Sequence, residues 1–291
     1  MYIFLALVGI WTVIDLFKGY KKAVNKNIYL FKNLSILSGI ILIFFLFGPF
    51  FLISPVKIGY SSLKSDCITL FYPTSYETRG QEIFVMTKEA EENVKDFYGN
   101  TKNIKVLVGL SNIDMLRFGS HPKANGAGTV FGIAIRESKA TSNIIAHEMS
   151  HKNLAEISNV KTSAKFPRWF DEGLASYLGK MDYYKNEQDL KDDLDRGMYR
   201  KDITEWKGIR GIFQWLNLTF IKPNPRLIYG QTYLMVKYLF DEYGQEKVYD
   251  LVLKASQSNF DKAFIEVFGI TVNDFHKEFI QYIERSPHKS S

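Results

Sequence analysis

The chain has 291 residues, of which 46% are hydrophobic and 23% charged, with a formal net charge of +6. These values suit one or two folded domains with a buried core and exclude collagen-like or low-complexity classes. The charge could favour anionic lipid or wall polymers. With no zinc knuckle, RNP-like signature or long Lys/Arg cluster outside the membrane region, nucleic acid is not an expected partner. The single cysteine, Cys67, excludes an intramolecular disulfide and a cysteine-based metal site, and reads as a small hydrophobe.

The first elements are apolar. Tyr2 to Phe17 is interrupted by Asp15 and can span a bilayer or lie at its interface, whereas Asn33 to Val56 carries no charge. Twenty helical residues rise about 30 Å, the thickness of a hydrocarbon core, so the second stretch reads as a transmembrane helix kinked near Gly48-Pro49. Lys18, Lys21, Lys22, Lys26 and Lys32 lie between the two stretches, against Lys57 and Lys64 after them. The positive-inside rule then makes the lysine-rich loop cytoplasmic and the rest of the chain extracytoplasmic. The expected location is the cell membrane, with the bilayer as a partner.

The expected organisation is a membrane anchor over residues 1–54 with one or two helices, a linker over 55–66, a globular domain over 67–286 and a tail over 287–291. Within the domain, Cys67 to Tyr72 and Ile104 to Leu110 read as strands, and Glu82 to Tyr98 as a helix ending at Gly99. A glycine-rich turn, Asn125 to Gly128, precedes a strand over Thr129 to Ile135. From Thr141 the pattern is mostly helical. Strands first and helices after indicate an α+β fold, a small sheet followed by a helical lobe.

The chemistry lies in His147-Glu148-Met149-Ser150-His151, an H-E-x-x-H pattern. Four residues apart on a helix, two imidazoles share a face and can converge on one ion, with Asn143 or Ser142 as the expected helix cap. Glu148 is turned about 100° from His147, beside the ion rather than on it, where it can take a proton from bound water. With five histidines in the chain, random placement would give this pattern on a bland surface helix in well under about one in a hundred such chains. A third ligand is needed. Leu154 and Ile157 stand where a metzincin carries glycine and a third histidine, and the polar flanks Ser142, Asn143, Lys152, Asn153 and Glu156 exclude an intramembrane site. The remaining common solution is a glutamate on the next helix. Glu172 follows His151 by 21 positions within Trp169-Phe-Asp-Glu-Gly-Leu-Ala-Ser-Tyr177, after a loop through Lys161 to Pro167. Gly173 and Ala175 are small enough to let the two helices approach, and Asp171 is expected as a capping or supporting residue.

H-E-x-x-H followed by W-F-x-E-G-x-A-x-Y resembles the gluzincins, specifically the bacterial peptidase MA-like proteins related to thermolysin and the membrane-alanyl aminopeptidases. The resemblance is strong over His147 to Tyr177, extends to about Gly244, and does not cover the membrane segments. It implies a thermolysin-like catalytic domain, Zn2+ held by His147, His151 and Glu172, Glu148 as general base, and a peptide or protein substrate. It also implies an edge strand that pairs with extended substrate, a place held by Thr129 to Ile135, which reads equally as an internal strand. A donor to the oxyanion is expected on a later helix, with Tyr229 and Tyr233 as candidates, 57 and 61 positions after Glu172. Tyr233 also fits a core stripe with Val236, Leu239 and Phe240. His121 can line the cleft, while His276 and His288 have no expected role.

The main alternative is a catalytically weak, metal-bound sensing or binding module at the membrane. A second is a membrane protease with a cytosolic catalytic domain, whose usual E-x-x-x-D pattern meets Ser176 in its last place here.

Overall fold

The computed structural model describes residues 2–48, 50–99, 103–129, 131–158, 166–181, 187–198, 203–205 and 225–285. Two apolar helices, α1 (Tyr2–Gly19) and α2 (Lys26–Leu46), open the chain as an antiparallel hairpin. Their seam holds a polar pair. The Tyr29 hydroxyl donates to the Asp15 carboxylate and approaches the Asp15 carbonyl oxygen at 2.9 Å. That contact accommodates the charge that interrupts α1. Around the seam, Ile10, Trp11, Phe17, Phe31, Ile41 and Leu42 are exposed. Among the described residues, α2 alone is long and apolar enough to cross a membrane, and nearly all of it is unburied. Pro49 and residues 286–291, which include the whole of the expected tail, lie outside the described residues.

Five strands form one sheet in the order β1-β2-β3-β5-β4: β1 (Tyr60–Lys64), β2 (Ile68–Pro73), β3 (Ile104–Gly109), β4 (Gly126–Thr129) and β5 (Gly132–Arg136). The pairs β2/β3 and β3/β5 are parallel, and the outer strands β1 and β4 are antiparallel to their neighbours. Strand alternation sends Ile68, Leu70, Val106, Val108, Ile133 and Ile135 to one face. There α3 (Glu77–Tyr98), closed by Gly99 at φ 72°, and α5 (Ser142–Ile157) cover them. Leu107 and Ala134 point to the other face. Phe51, Leu52 and two residues of the α4 (Asn112–Arg117) region, Met115 and Phe118, cover that side.

Two expectations change here. The span read as a linker carries β1, in register with β2 from Tyr60↔Pro73 to Lys64↔Thr69. The end of the apolar run, assigned to the anchor, packs into the sheet, with Phe51 fully buried and its ring 5.9 Å from Phe118. Lys57 Nζ holds this turn by donating to the Phe51 carbonyl at 2.5 Å and the Leu52 carbonyl at 3.3 Å. Arg117 lies 4.4 Å from the centre of the Phe51 ring and reaches the Leu46 carbonyl at 3.4 Å.

The remaining elements are helical, as the pattern after Thr141 predicts: α6 (Arg168–Leu178), α7 (Glu187–Asp195), α8 (Pro225–Tyr243), α9 (Gln245–Gln257), α10 (Phe260–Phe268) and α11 (Val272–Arg285). The whole is a mixed α+β fold, mostly helical with a small sheet. Helix α6 lies between α5 and α8 and is buried almost throughout. Gly173 makes the second of these contacts possible. A Cβ there would stand 2.4 Å from the Thr232 carbonyl oxygen, so Gly173 serves the α6–α8 approach rather than the expected α5–α6 one. Gly179 has that role against α5, lying close to the Asn143 carbonyl and the His147 amide.

Candidate metal centre

Helix α5 is capped by Thr141, not by Asn143 or Ser142. The Thr141 hydroxyl accepts from the Ile144 amide at 3.2 Å, and Asn143 instead donates to the Lys180 carbonyl at 3.0 Å. Ile145, Ala146 and Met149 bury one side of the helix in the core. The opposite side turns His147 and His151 toward α6.

The two imidazoles meet through their Nε2 atoms, 3.1 Å apart. Glu172 Oε2 stands 3.4 Å from each of them. All three residues are buried, and they form the His/Cys/Asp/Glu group found among the described residues that can hold a metal ion. A tetrahedral ion with bonds of about 2.0–2.1 Å sets its donors about 3.3–3.4 Å apart, close to the triangle observed. The tautomers agree. Asp171 Oδ1 is 2.7 Å from His151 Nδ1, so that nitrogen carries the proton and its Nε2 presents a lone pair to the centre. His147 Nδ1 is buried without a hydrogen-bond partner in the structure. A cation at the centre would take the Nε2 lone pair of His147 and leave the ring proton on Nδ1. The donor set, two imidazoles and a carboxylate, fits a divalent metal, and zinc best among the common ones.

The electrostatics match a site built for a cation. Burial alone would raise the Glu172 carboxyl, but Arg168, His151 and hydrogen bonds with both imidazoles hold it well below the usual carboxylate range. Burial disfavours the charge on Arg168, and Glu172, Asp171, Tyr229 and Glu148 act against it, so its pKa is raised. The sequence pattern alone does not mark Arg168, although it precedes Asp171 by three positions and Glu172 by four on the same helix, the spacing of side chains that touch.

Glu148 is 8% exposed and lies next to β4. A Cβ on Gly126 would stand 2.7 Å from Glu148 Cγ, and one on Gly128 would stand 2.1 Å from the Glu148 carbonyl oxygen. Only glycine lets this strand run against the Glu148 turn of α5. This corrects the strand expectation. Thr129 to Ile135 is not one strand: Thr129 ends β4 and Gly132 opens β5. The edge of the sheet is the stretch read as a glycine-rich turn, while β5 is internal.

Tyr229 is partly exposed on α8 within electrostatic reach of Arg168. The Tyr233 ring lies 6.1 Å from that of Tyr177, in an aromatic layer with Phe240. His121 Nδ1 accepts from the Lys123 amide in its own loop, and His276 is partly buried on α11. Cys67 donates to Glu91, and burial followed by that bond pushes its thiol up to about 11, away from nucleophilic chemistry.

A helix bearing H-E-x-x-H, a carboxylate returned by the next helix and an edge strand beside them define a metallopeptidase-like protein. A family model described as the peptidase MA superfamily matches residues 121–285, from the loop before β4 to the end of α11. The chain belongs to the peptidase MA superfamily, and is gluzincin-like in its motif. A comparison with curated proteins returned no match.

Proposed function

We propose that this protein is a membrane-anchored zinc peptidase of gluzincin type that hydrolyses peptide bonds outside the cytoplasm. The observation that carries the reading is the buried triangle of His147 Nε2, His151 Nε2 and Glu172 Oε2, with Glu148 on the next position of the same helix. Zinc, when bound, supplies a Lewis acid that acidifies water and polarises a carbonyl. His147, His151 and Glu172 would hold it. Glu148 accepts the proton of the attacking water and returns it to the leaving amine. The outer edge of β4 offers backbone groups to an extended peptide and aligns the scissile bond with Glu148. Tyr229 donates to the oxyanion that develops on the substrate, with Tyr233 the alternative donor.

Anchoring is supported by the exposed apolar surface of α1 and α2 and by the composition of α2. The exposed lysines at the α1–α2 turn favour the cytoplasmic side for that turn and the outer side for the sheet and helical lobe.

The test is Glu148→Gln in the full-length protein. Zinc content stays at one per chain, and hydrolysis of a peptide library falls by about 10²–10⁴-fold. Cleavage equal to that of the parent would overturn the mechanism. A parent protein that binds zinc but turns over no peptide would leave only the binding-module alternative.

A further inference from the structure

Arg168 is 6% exposed and stands at the first position of α6. Its Nη2 pairs with Glu172 Oε1, and its Nη1 lies 3.7 Å from Asp171 Oδ2. The other oxygen of each carboxylate faces the histidines. Glu172 Oε2 is 3.4 Å from both Nε2 atoms, and Asp171 Oδ1 is 2.7 Å from His151 Nδ1. One guanidinium therefore lies between two carboxylates, bonded to one oxygen of Glu172 and within ion-pair distance of one of Asp171, and leaves the other oxygen of each for the imidazoles.

We propose that Arg168 is a positioning residue that makes Glu172 a one-oxygen metal ligand. An unrestrained buried glutamate can turn both oxygens to a divalent ion. With Oε1 committed to Arg168, only Oε2 is left for the centre. The protein then gives three donor atoms, and a position stays open for water and substrate. Through Asp171 the same side chain also fixes the His151 tautomer. Lysine cannot replace it, because a single ammonium lacks the planar fork that reaches two carboxylates at once. This inference rests on the metal reading above.

The experiment loads the full-length protein with Co2+ in place of zinc and records its visible absorption, beside X-ray absorption of the zinc-loaded parent. The parent is expected to show four light-atom ligands around zinc. In Arg168→Met, Glu172 takes the metal through both oxygens. The cobalt absorption then weakens, as it does when coordination rises from four to five, and kcat falls about 10–100-fold. Arg168→Lys is expected to keep the fold yet show the same spectral change. A purely structural role would lower the melting temperature of these variants while leaving the cobalt spectrum of the folded protein unaltered. That result would overturn the proposal. So would a crystal structure of the zinc-loaded parent in which both Glu172 oxygens bind the metal, whatever the variants do. A parent that takes up neither metal would instead overturn the metal reading itself, and this inference with it.

Discussion

Two helix pairs in this molecule bury polar groups in their seams, and the difference between them separates holding from doing. In the α1–α2 pair, the Asp15 carboxylate meets the Tyr29 hydroxyl, Asn33 Nδ2 donates to the Tyr29 carbonyl at 3.0 Å, and the apolar side chains face outward. Each of these contacts is a donor matched to an acceptor. In the α5–α6 pair, His147, His151, Asp171, Glu172 and Arg168 crowd one seam, and the apolar side chains face inward. Five ionisable groups far outnumber what two helices need to stay together. Burying them is costly unless a partner compensates them, which marks the cluster as the candidate site.

Substitutions in the two seams should therefore differ in kind. The largest effect is expected for His147→Ala. One of three donors is lost, zinc content falls below stoichiometric, and peptide hydrolysis drops by about 10³-fold or more, measured by metal analysis and initial rates. Asp171→Asn should retain zinc but weaken its hold and lower kcat by about 10–100-fold, read by chelator competition and kinetics, because the His151 tautomer loses its support. Gly128→Ala forces a Cβ against the Glu148 backbone. It should cost roughly 1–3 kcal/mol in denaturant unfolding and lower activity by moving β4 away from α5. Tyr29→Phe should have the smallest effect, about 1 kcal/mol of stability in detergent micelles, with zinc content and kcat as in the parent. If Tyr29→Phe altered metal binding, the contrast between the seams would fail.

The buried group that could hold a metal was legible in the sequence because the geometry that joins its members is local. Two histidines one turn apart share a face whatever the rest of the fold does, and Glu172 lies on the helix that follows. Contacts between distant segments were less legible. Asn125 to Gly128 reads as a turn because glycine is depleted in strands, yet the approach of Glu148 demands glycine there, a constraint that only tertiary packing reveals. Tyr60 to Lys64 alternates too weakly to announce a strand. Phe51 and Leu52 read as part of the anchor because an apolar run looks the same whether lipid or a sheet covers it. Gly173 was rightly seen as a close-contact residue, but the neighbouring helix it meets, α8, comes more than fifty positions later.

The buried Phe51–Leu52 turn bears on how the anchored protein would find its substrates. The side chains that end the apolar run are already inside the sheet packing, Lys57 clasps the turn, and Arg117 grips the last carbonyl of α2. Among the described residues these contacts tie the end of α2 to the sheet, so under the proposed anchoring the cleft would not swing freely on a tether. On the proposed function, the height of the cleft above the lipid would then be set by bone rather than by string, and a substrate would have to present its segment at that height.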